Sequence, residues 1–153
     1  MDSKSLNEHS LSLVEIMPEI IRGLWKRETN GCVSGAITSP QISILMYLNR
    51  IGAARMTDAA RHLNITTAAA TGLVARLVKG AYVQRVYDPA DRRTITIKLT
   101  DEGRNLANKI LAHKIARVQE TFGSIPGRDR EELLRILTNI KDILTQERQR
   151  LSE

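Results

Sequence analysis

Hydrophobic positions in the first third of the chain recur every three or four residues, which predicts an amphipathic helix. This stripe consists of Leu11, Val14, Met17, Ile21, Leu24 and Trp25. Pro18 lies within the stripe and either kinks one long helix or starts a shorter one. Residues 29–35 contain Gly and Ser and predict a loop.

A second helical stripe follows this loop. Thr38 and Gln41 fit a capping box, whereas Pro40 at the first helical position would make Ser39 the N-cap. The apolar positions of this helix are Ile42, Leu45, Met46 and Leu48, and Gly52 follows them. Both caps predict the same helix, with a start that differs by one residue.

The middle third predicts two further helices joined by a tight turn. The first spans Met56 to Leu63, with Thr57 as its N-cap, and residues 64–65 form the turn. The second extends from the N-cap Thr66 to about Lys79, and Gly80 ends it as a C′ glycine. The apolar positions of the second helix, which face the core, are Ala70, Leu73, Val74 and Leu77.

Two short strands come next, at residues 82–87 and 94–99. In the second strand, Ile95, Ile97 and Leu99 alternate with Thr94, Thr96 and Lys98, the period of a half-buried strand. The charged residues 88–93 between the strands predict a turn. Residues 56–99 therefore predict a helix, a turn, a helix and a β-hairpin.

The last third predicts two long helices, the first capped by Thr100 and the second following a break at residues 123–127. The apolar positions of the final helix are Leu133, Leu134, Ile136, Leu137, Ile140, Ile143 and Leu144. One terminal helix of a small monomer cannot bury so much apolar surface, and a second copy of the chain would cover it.

Composition narrows the class of protein. The 153 residues are 42% hydrophobic and 26% charged, which is typical of a globular domain. No apolar run approaches the roughly 18–20 residues that cross a bilayer, the N-terminus resembles no secretory signal, and one cysteine fits a reducing compartment. We therefore expect a cytoplasmic protein without a membrane segment.

The positive charge is concentrated in the middle third. The chain has a net charge of +6, and residues 50–104 carry ten basic against five acidic side chains. Such a field attracts polyanions, nucleic acid before anionic membrane, although a solvated basic surface has the same composition.

A helix-turn-helix followed by a basic hairpin is the winged-helix arrangement, in which the second helix enters the major groove of DNA. Its outward positions are Thr67, Ala68, Thr71, Gly72, Ala75, Arg76 and Lys79. Bidentate base contacts are limited to Arg76 and at most Lys79, while Thr67, Ala68 and Thr71 offer methyl contacts to thymine or weak hydroxyl hydrogen bonds. Gly72 costs about 1 kcal/mol of helix stability relative to Ala, and either bares the helix or lets it pass close to a backbone.

The middle third resembles the MarR family of bacterial transcriptional regulators. The residues that carry the resemblance are Leu63-Asn64-Ile65-Thr66, then Val74, Arg76, Leu77, Gly80, Val83 and Arg85, then Asp88-Pro89-x-Asp91-Arg92-Arg93 and Leu99-Thr100-x-x-Gly103. The last two motifs are the specific part, and outside residues 56–103 the resemblance is one of pattern. Relatives commonly have a long polar side chain where this chain has Gly72.

The resemblance implies a mainly α fold with a small β-hairpin wing, a winged helix-turn-helix with N- and C-terminal dimerisation helices. The chain would be one domain of residues 1–153, with dimerisation helices at 1–37 and 105–153 and a DNA-binding lobe at 38–104. It implies a homodimer that binds a pseudo-palindromic operator in double-stranded DNA as a repressor or an activator. Of the two we expect a repressor, which a small-molecule effector releases.

In the implied wing, Asp91 orients Arg93, and Arg93 enters the minor groove, whose negative potential selects arginine. Arg92 and Arg85 would contact phosphates. A simple salt bridge at the hairpin tip is the alternative to this role. A winged-helix module that binds protein or RNA without reading an operator is the alternative function.

Other chemistry has weaker support in the sequence. Cys32 would make the protein a thiol sensor, but only Lys26 and Arg27 are nearby cations in the sequence, so an incidental thiol is the simpler interpretation. The histidines, His9, His62 and His113, have no ligand-spaced partners, so we expect no metal and no cofactor. No catalytic motif indicates an enzyme. Met17, Trp25, Met46 and Tyr47 either line an effector pocket or belong to the core.

Overall fold

The fold is mainly helical with one small antiparallel sheet, as the sequence predicts. The computed structural model describes residues 3–25, 37–87 and 95–150. In chain order the elements are α1 (Ser3–Trp25), α2 (Ser39–Ile51), β1 (Ala53–Arg55), α3 (Met56–Leu63), α4 (Thr67–Lys79), β2 (Val83–Tyr87), β3 (Ile95–Leu99), α5 (Asp101–Phe122) and α6 (Gly127–Arg150). The chain divides into two compact units, residues 1–115 and 116–153.

The sheet has three strands in the order β1-β3-β2, and both pairings are antiparallel. The expected hairpin is present, because Val83 pairs with Leu99 and Tyr87 with Ile95. The prediction missed β1, in which Ala54 pairs with Ile97. Three residues are too few to show an alternating pattern, and this strand exists only because β3 offers it a free edge.

The core of the first unit lies between α2, α4 and the sheet. Its fully buried large side chains are Ile44, Leu45, Leu48, Val74, Leu77, Val83 and Ile97. Of the four predicted core positions of α4, Ala70, Val74 and Leu77 are buried, and Leu73 is partly buried. Met46 and Tyr47 are partly buried and pack against this core.

The helix N-termini follow the sequence at three places and depart from it at one. Thr38, not Ser39, is the N-cap of α2, and the Oε1 of Gln41 accepts hydrogen bonds from the Thr38 amide (2.8 Å) and hydroxyl (3.0 Å). Thr66 caps α4 as predicted, since its Oγ1 accepts from the Ala69 amide at 3.2 Å.

The prediction of Thr57 as the N-cap of α3 is wrong. Arg55 is the N-cap of this helix, and it makes no side-chain capping hydrogen bond. Arg55 is also the last residue of β1, so the chain leaves the sheet directly into the helix and Thr57 already lies in the first turn.

The C-terminus of α4 is a Schellman motif shifted by one residue from the prediction. The Tyr82 amide donates to Leu77 O (2.9 Å) and the Ala81 amide to Val78 O (3.0 Å), which makes Ala81 the C′ residue. Ala81 adopts the left-handed conformation (φ 61°), whereas Gly80 has φ −79°. A Cβ at Gly80 would lie 2.9 Å from Cδ2 of Tyr82, so a larger residue there would have to displace this ring.

The Leu99-Thr100-x-x-Gly103 motif joins this turn to the start of α5. The Thr100 hydroxyl donates to Ala81 O at 2.6 Å and accepts from the Gly103 amide at 3.0 Å. The Thr100 amide donates to Tyr82 O at 3.1 Å. A Cβ at position 103 would lie 1.9 Å from that same oxygen, so only glycine fits there. Thr100 therefore is the cap that the sequence predicts, and it also anchors the end of α4.

Helix α1 continues through Pro18, so the alternative of a shorter helix starting there is not observed. Its apolar side chains are largely exposed, including Leu13, Val14, Met17, Ile20 and Ile21. In the second unit, α6 exposes Leu134, Ile136, Leu137, Ile140, Ile143 and Leu144. None of the helices in the described ranges has a stretch long and apolar enough to span a bilayer.

Candidate nucleic-acid interface

The helix-turn-helix is built by a tight turn between α3 and α4. Asn64 adopts the left-handed conformation (φ 55°) that reverses the chain, and its amide donates to Arg61 O at 3.1 Å. The Ile65 amide donates to Ala60 O at 3.1 Å. Thr66 then starts α4 with its capping hydrogen bond. The turn at residues 64–65 therefore sets the direction in which α4 leaves α3.

Helix α4 turns one face to the core and the opposite face to solvent. Because successive residues advance by about 100°, the buried Ala70, Val74 and Leu77 lie opposite a line formed by positions 68, 72, 75 and 79. The predicted site residues of this helix, all of them exposed, are Thr67, Ala68, Thr71, Gly72, Arg76 and Lys79. The structure brings Ala68, Thr71, Gly72, Arg76 and Lys79 together on one surface with Ala75, and we call this surface the α4 face. Thr67 is exposed but lies to the side of it.

The hydroxyl of Thr71 is committed within the helix. Its Oγ1 donates to Thr67 O at 2.8 Å. The Oγ1 of Thr66 likewise serves as the helix cap. The donor of Thr71 is therefore used internally, while its methyl group and its oxygen, as an acceptor, remain for outside contacts.

Gly72 has open surroundings in the part of the chain that the structure describes. A Cβ at this position would meet no atom of those residues within 4 Å. Within the described ranges α4 therefore does not pass close to another backbone at this residue, contrary to the alternative of a close approach. Glycine here leaves bare helix backbone in the middle of the α4 face.

An open, mostly apolar cleft of about 650 Å³ borders the α4 face on one side. Ser39, Pro40 and Ser43 from α2 form one wall of the cleft. The other lining residues are Leu63, Ile65, Ala69, Gly72, Leu73 and Arg76. Gly72 and Arg76 thus belong to both the α4 face and the cleft.

The basic side chains near this face are available for an external anion. Arg76, Lys79 and Arg85 are exposed, and no ion pair joins them to a carboxylate among residues 3–25, 37–87 and 95–150. Arg61 differs, because Asp58 neutralises it at 3.1 Å. Arg85 lies on the edge strand β2 opposite Ile97.

Sequence reasoning did not single out two further exposed cations of the sheet, Arg55 and Lys98. Both lie on the face that points away from the core, since their strand neighbours Ala54 and Ile97 are buried. The alternation around Lys98 could have identified it. Arg55 gave no such signal because β1 itself was not predicted.

The predicted wing residues Asp91, Arg92 and Arg93 lie outside the described residues, as does Cys32. The strands on either side of the wing are described, and their last pair, Tyr87 and Ile95, closes the ladder. The roles assigned to the wing residues and to Cys32 stay predictions.

The other candidate chemistry finds little support in the geometry. No group of three His, Cys, Asp or Glu side chains that would hold a metal ion occurs within the described part of the chain. His62 instead stacks on Tyr47, with ring centroids 4.2 Å apart, and the Arg50 guanidinium lies 6.0 Å from the Tyr47 ring centroid. Met17 is about half exposed on α1, and the described structure does not extend to the Trp25 side chain.

Residues 37–95 match the profile of the MarR family. The transcriptional regulator FarR of Neisseria gonorrhoeae is 30% identical over 112 residues, which cover 71% of this chain and 76% of FarR. The transcriptional activatory protein BadR of Rhodopseudomonas palustris is 30% identical over 126 residues, which cover 77% and 72%. The alignment with another regulator, YsmB of Bacillus subtilis, spans 61% of its length.

Solved structures share the fold. A MarR family protein from Bacillus stearothermophilus superimposes with a TM-score of 0.81 at 19% identity, covering 95% of this chain and 99% of that one. FabT of Streptococcus pneumoniae, solved in complex with DNA, gives 0.72 at 19% identity with the same coverage. PcaV of Streptomyces coelicolor, in complex with its natural ligand, gives 0.64 at 20%, covering 93% and 98%.

The winged helix-turn-helix fold is therefore shown, and the profile covers the helix-turn-helix and the α4 face described above. Together with the identity to FarR and BadR over most of each chain, this places the protein: it belongs to the MarR family of transcriptional regulators.

Proposed function

We propose that this chain is a sequence-specific DNA-binding repressor that acts as a homodimer on a pseudo-palindromic operator. The observation that carries the proposal is the exposed α4 face, flanked by Arg76, Lys79 and Arg85, for which the described residues provide no carboxylate partner. A helix of this kind inserts into the major groove, and unpaired cations beside it bind phosphates. The DNA complex of FabT, a protein of the same fold, supports the same use here.

The proposed wing completes the interface. Arg93, held by Asp91, inserts into the minor groove, while Arg92 and Arg85 contact phosphates. The paired strands β2 and β3 support this arrangement, because they flank residues 88–94 as a hairpin wing requires. An arginine that a carboxylate already orients loses less conformational entropy when it binds.

The exposed apolar surface supports the dimer. Val14 on α1 is 72% exposed and Leu134 on α6 is 67% exposed. Both belong to long apolar stripes that face solvent in a single copy of the chain. A second copy of the chain buries such stripes in an isologous interface. The dimerisation helices proposed are residues 1–37 and 105–153, around a DNA-binding lobe at 38–104.

A small-molecule effector then releases the repressor from the operator. The support is the ligand complex of PcaV, which has the same fold. The name of BadR describes an activator. Whether this chain represses or activates transcription is therefore decided by measuring transcripts.

The test is selection of binding sites from a random DNA pool with the full-length protein. We expect a pseudo-palindrome whose half-sites are centred about one helical turn, ~10 base pairs, apart. A selected site without a dyad would contradict the dimeric mode of binding, and failure to enrich any sequence would contradict the function. In vitro transcription from a promoter that contains the site then distinguishes repression from activation.

A further inference from the structure

The part of α4 that reaches deepest into a major groove has no hydrogen-bonding side chain at its centre. In a helix-turn-helix the N-terminal residues of the second helix contact the base edges. Along the middle of the α4 face these residues are Ala68, Gly72 and Ala75, and the first charged residue on that line is Lys79, the last residue of the helix.

The threonines of this region place no donor on the middle of the face. The Thr71 hydroxyl donates to Thr67 O at 2.8 Å. Thr66 is the N-cap, whose oxygen accepts from the Ala69 amide at 3.2 Å, and it precedes the first helical turn. Thr67 lies about 120° from the middle of the face, at about 100° per residue. The middle of the α4 face therefore presents methyl groups and bare backbone over the first two turns of the helix, with the Thr71 oxygen at its edge as an acceptor.

Gly72 adds space to this surface. Glycine weakens a helix interior relative to alanine. Packing does not explain its presence here, because a Cβ at this position would contact no described atom within 4 Å. The free volume above Gly72 opens into the cleft beside α4 and has room for a group from outside the protein.

We infer that α4 reads its operator through the C5-methyl groups of thymines, which pack on Ala68 and Ala75 and enter the space above Gly72. In the major groove, thymine is distinguished by this methyl group, and apolar side chains recognise it by contact. Arg76, at the edge of the face, then adds a guanine contact. The inference rests on the proposed function and names the class of operator: half-sites with thymines at the positions facing the first two turns of α4.

The direct test removes single methyl groups from the DNA. In the selected operator, each thymine of a half-site is replaced by deoxyuridine, which keeps every hydrogen-bonding group, and the affinity of the full-length protein is measured at one salt concentration. We expect a loss of about fourfold at one or two positions, the effect of one buried methyl-sized group. Deoxyuridine outside the protected site is the control. An unchanged affinity at every position would overturn the inference.

Gly72→Ala tests the receiving position. The added Cβ meets no atom of residues 3–25, 37–87 and 95–150 within 4 Å and favours the helix, so unfolding does not explain a loss of binding. We expect this variant to bind the operator several-fold more weakly, to bind random DNA as the wild type does, and to lose the deoxyuridine effect at one position. A variant that binds as tightly as the wild type and keeps every deoxyuridine effect would show that thymine does not enter this space.

These results separate the inference from the function on which it rests. If no operator is selected, the proposed function fails. If an operator is selected and deoxyuridine changes nothing, the proposed DNA binding stands. Only the inference that α4 recognises thymine methyl groups is then refuted.

Discussion

At the scale of single residues, two helical glycines have opposite surroundings. Gly103 in the first turn of α5 lies against the Tyr82 carbonyl, where a Cβ would be 1.9 Å from the oxygen, whereas the position above Gly72 is open. The same added methyl group therefore has opposite consequences at the two sites, although the sequence shows only glycine within a helix in both.

We predict that Gly103→Ala lowers the free energy of unfolding by about 1–3 kcal/mol or more, because the backbone of the Ala81–Tyr82 turn must move. Gly72→Ala is the matched control and should raise it by about 1 kcal/mol. Urea denaturation of both variants measures the two signs. Destabilisation by both would show that the space above Gly72 is not free in solution.

Arg76 and Arg85 are both exposed cations, but we assign them different contacts. Arg76 lies at the edge of the α4 face, and Arg85 lies on the edge strand β2. Arg76→Ala should therefore lose sequence preference, with about 1–3 kcal/mol lost on the operator. Arg85→Ala should weaken binding to all sequences and reduce the salt dependence by about one phosphate contact. Equal losses on operator and random DNA for Arg76→Ala would remove it from the base-reading residues.

At the scale of elements, the sequence predicts helices well where the signal is local. The apolar stripe of α4 and the caps Thr66 and Thr100 each depend on residues within one turn, and the structure confirms all three. The errors have non-local causes. Strand β1 depends on the edge of β3, and its end at Arg55 displaces the predicted cap Thr57.

The candidate site was predictable in its location and not in its chemistry. Helical periodicity alone places Ala68, Gly72 and Arg76 on the outward face of α4. The hydrogen bond from Thr71 to Thr67 O depends on a side-chain rotamer, and the open space above Gly72 depends on what other elements leave empty. The spacing of hydrophobic and polar residues predicts neither of these two properties.

A prediction about the wing distinguishes two effects of Asp91, the orientation of Arg93 and the repulsion of DNA phosphates. Removing Arg93 should cost on the order of 1–3 kcal/mol of operator affinity. Asp91→Ala should also weaken binding, because Arg93 loses its orienting partner. Simple electrostatics gives the opposite sign, since deleting a carboxylate near DNA reduces repulsion of phosphates. Operator affinity at fixed salt is the measurement, and binding of Asp91→Ala as tight as that of the wild type would reduce the wing to a basic surface.

At the scale of the whole molecule, the exposed apolar stripes of α1 and α6 predict an obligate dimer. Obligate homodimers bury more than roughly 2,000 Å² of largely apolar surface in total. The exposed apolar side chains of α1 and α6 are surface of this chemical type, and we expect an interface of that size. Sedimentation at low micromolar concentration should show a single dimeric species. A folded monomer under these conditions would contradict the prediction, and Leu137→Glu on α6 should produce a concentration-dependent loss of both dimer and operator binding.

The hydrogen bonds of Thr100 have a mechanical consequence for such a dimer. They fasten the turn after α4 to the first turn of α5 through the Ala81 and Tyr82 carbonyls. Helix α4 and the base of α5 must then tilt together, because bending between them would break the hydrogen bonds from Thr100 to the Ala81 and Tyr82 carbonyls. For the proposed effector we therefore predict that it changes operator affinity by changing the distance between the two α4 helices of the dimer. Spin labels on α4 of each protomer measure this distance, and labels on α4 and the base of α5 within one protomer should keep a constant distance.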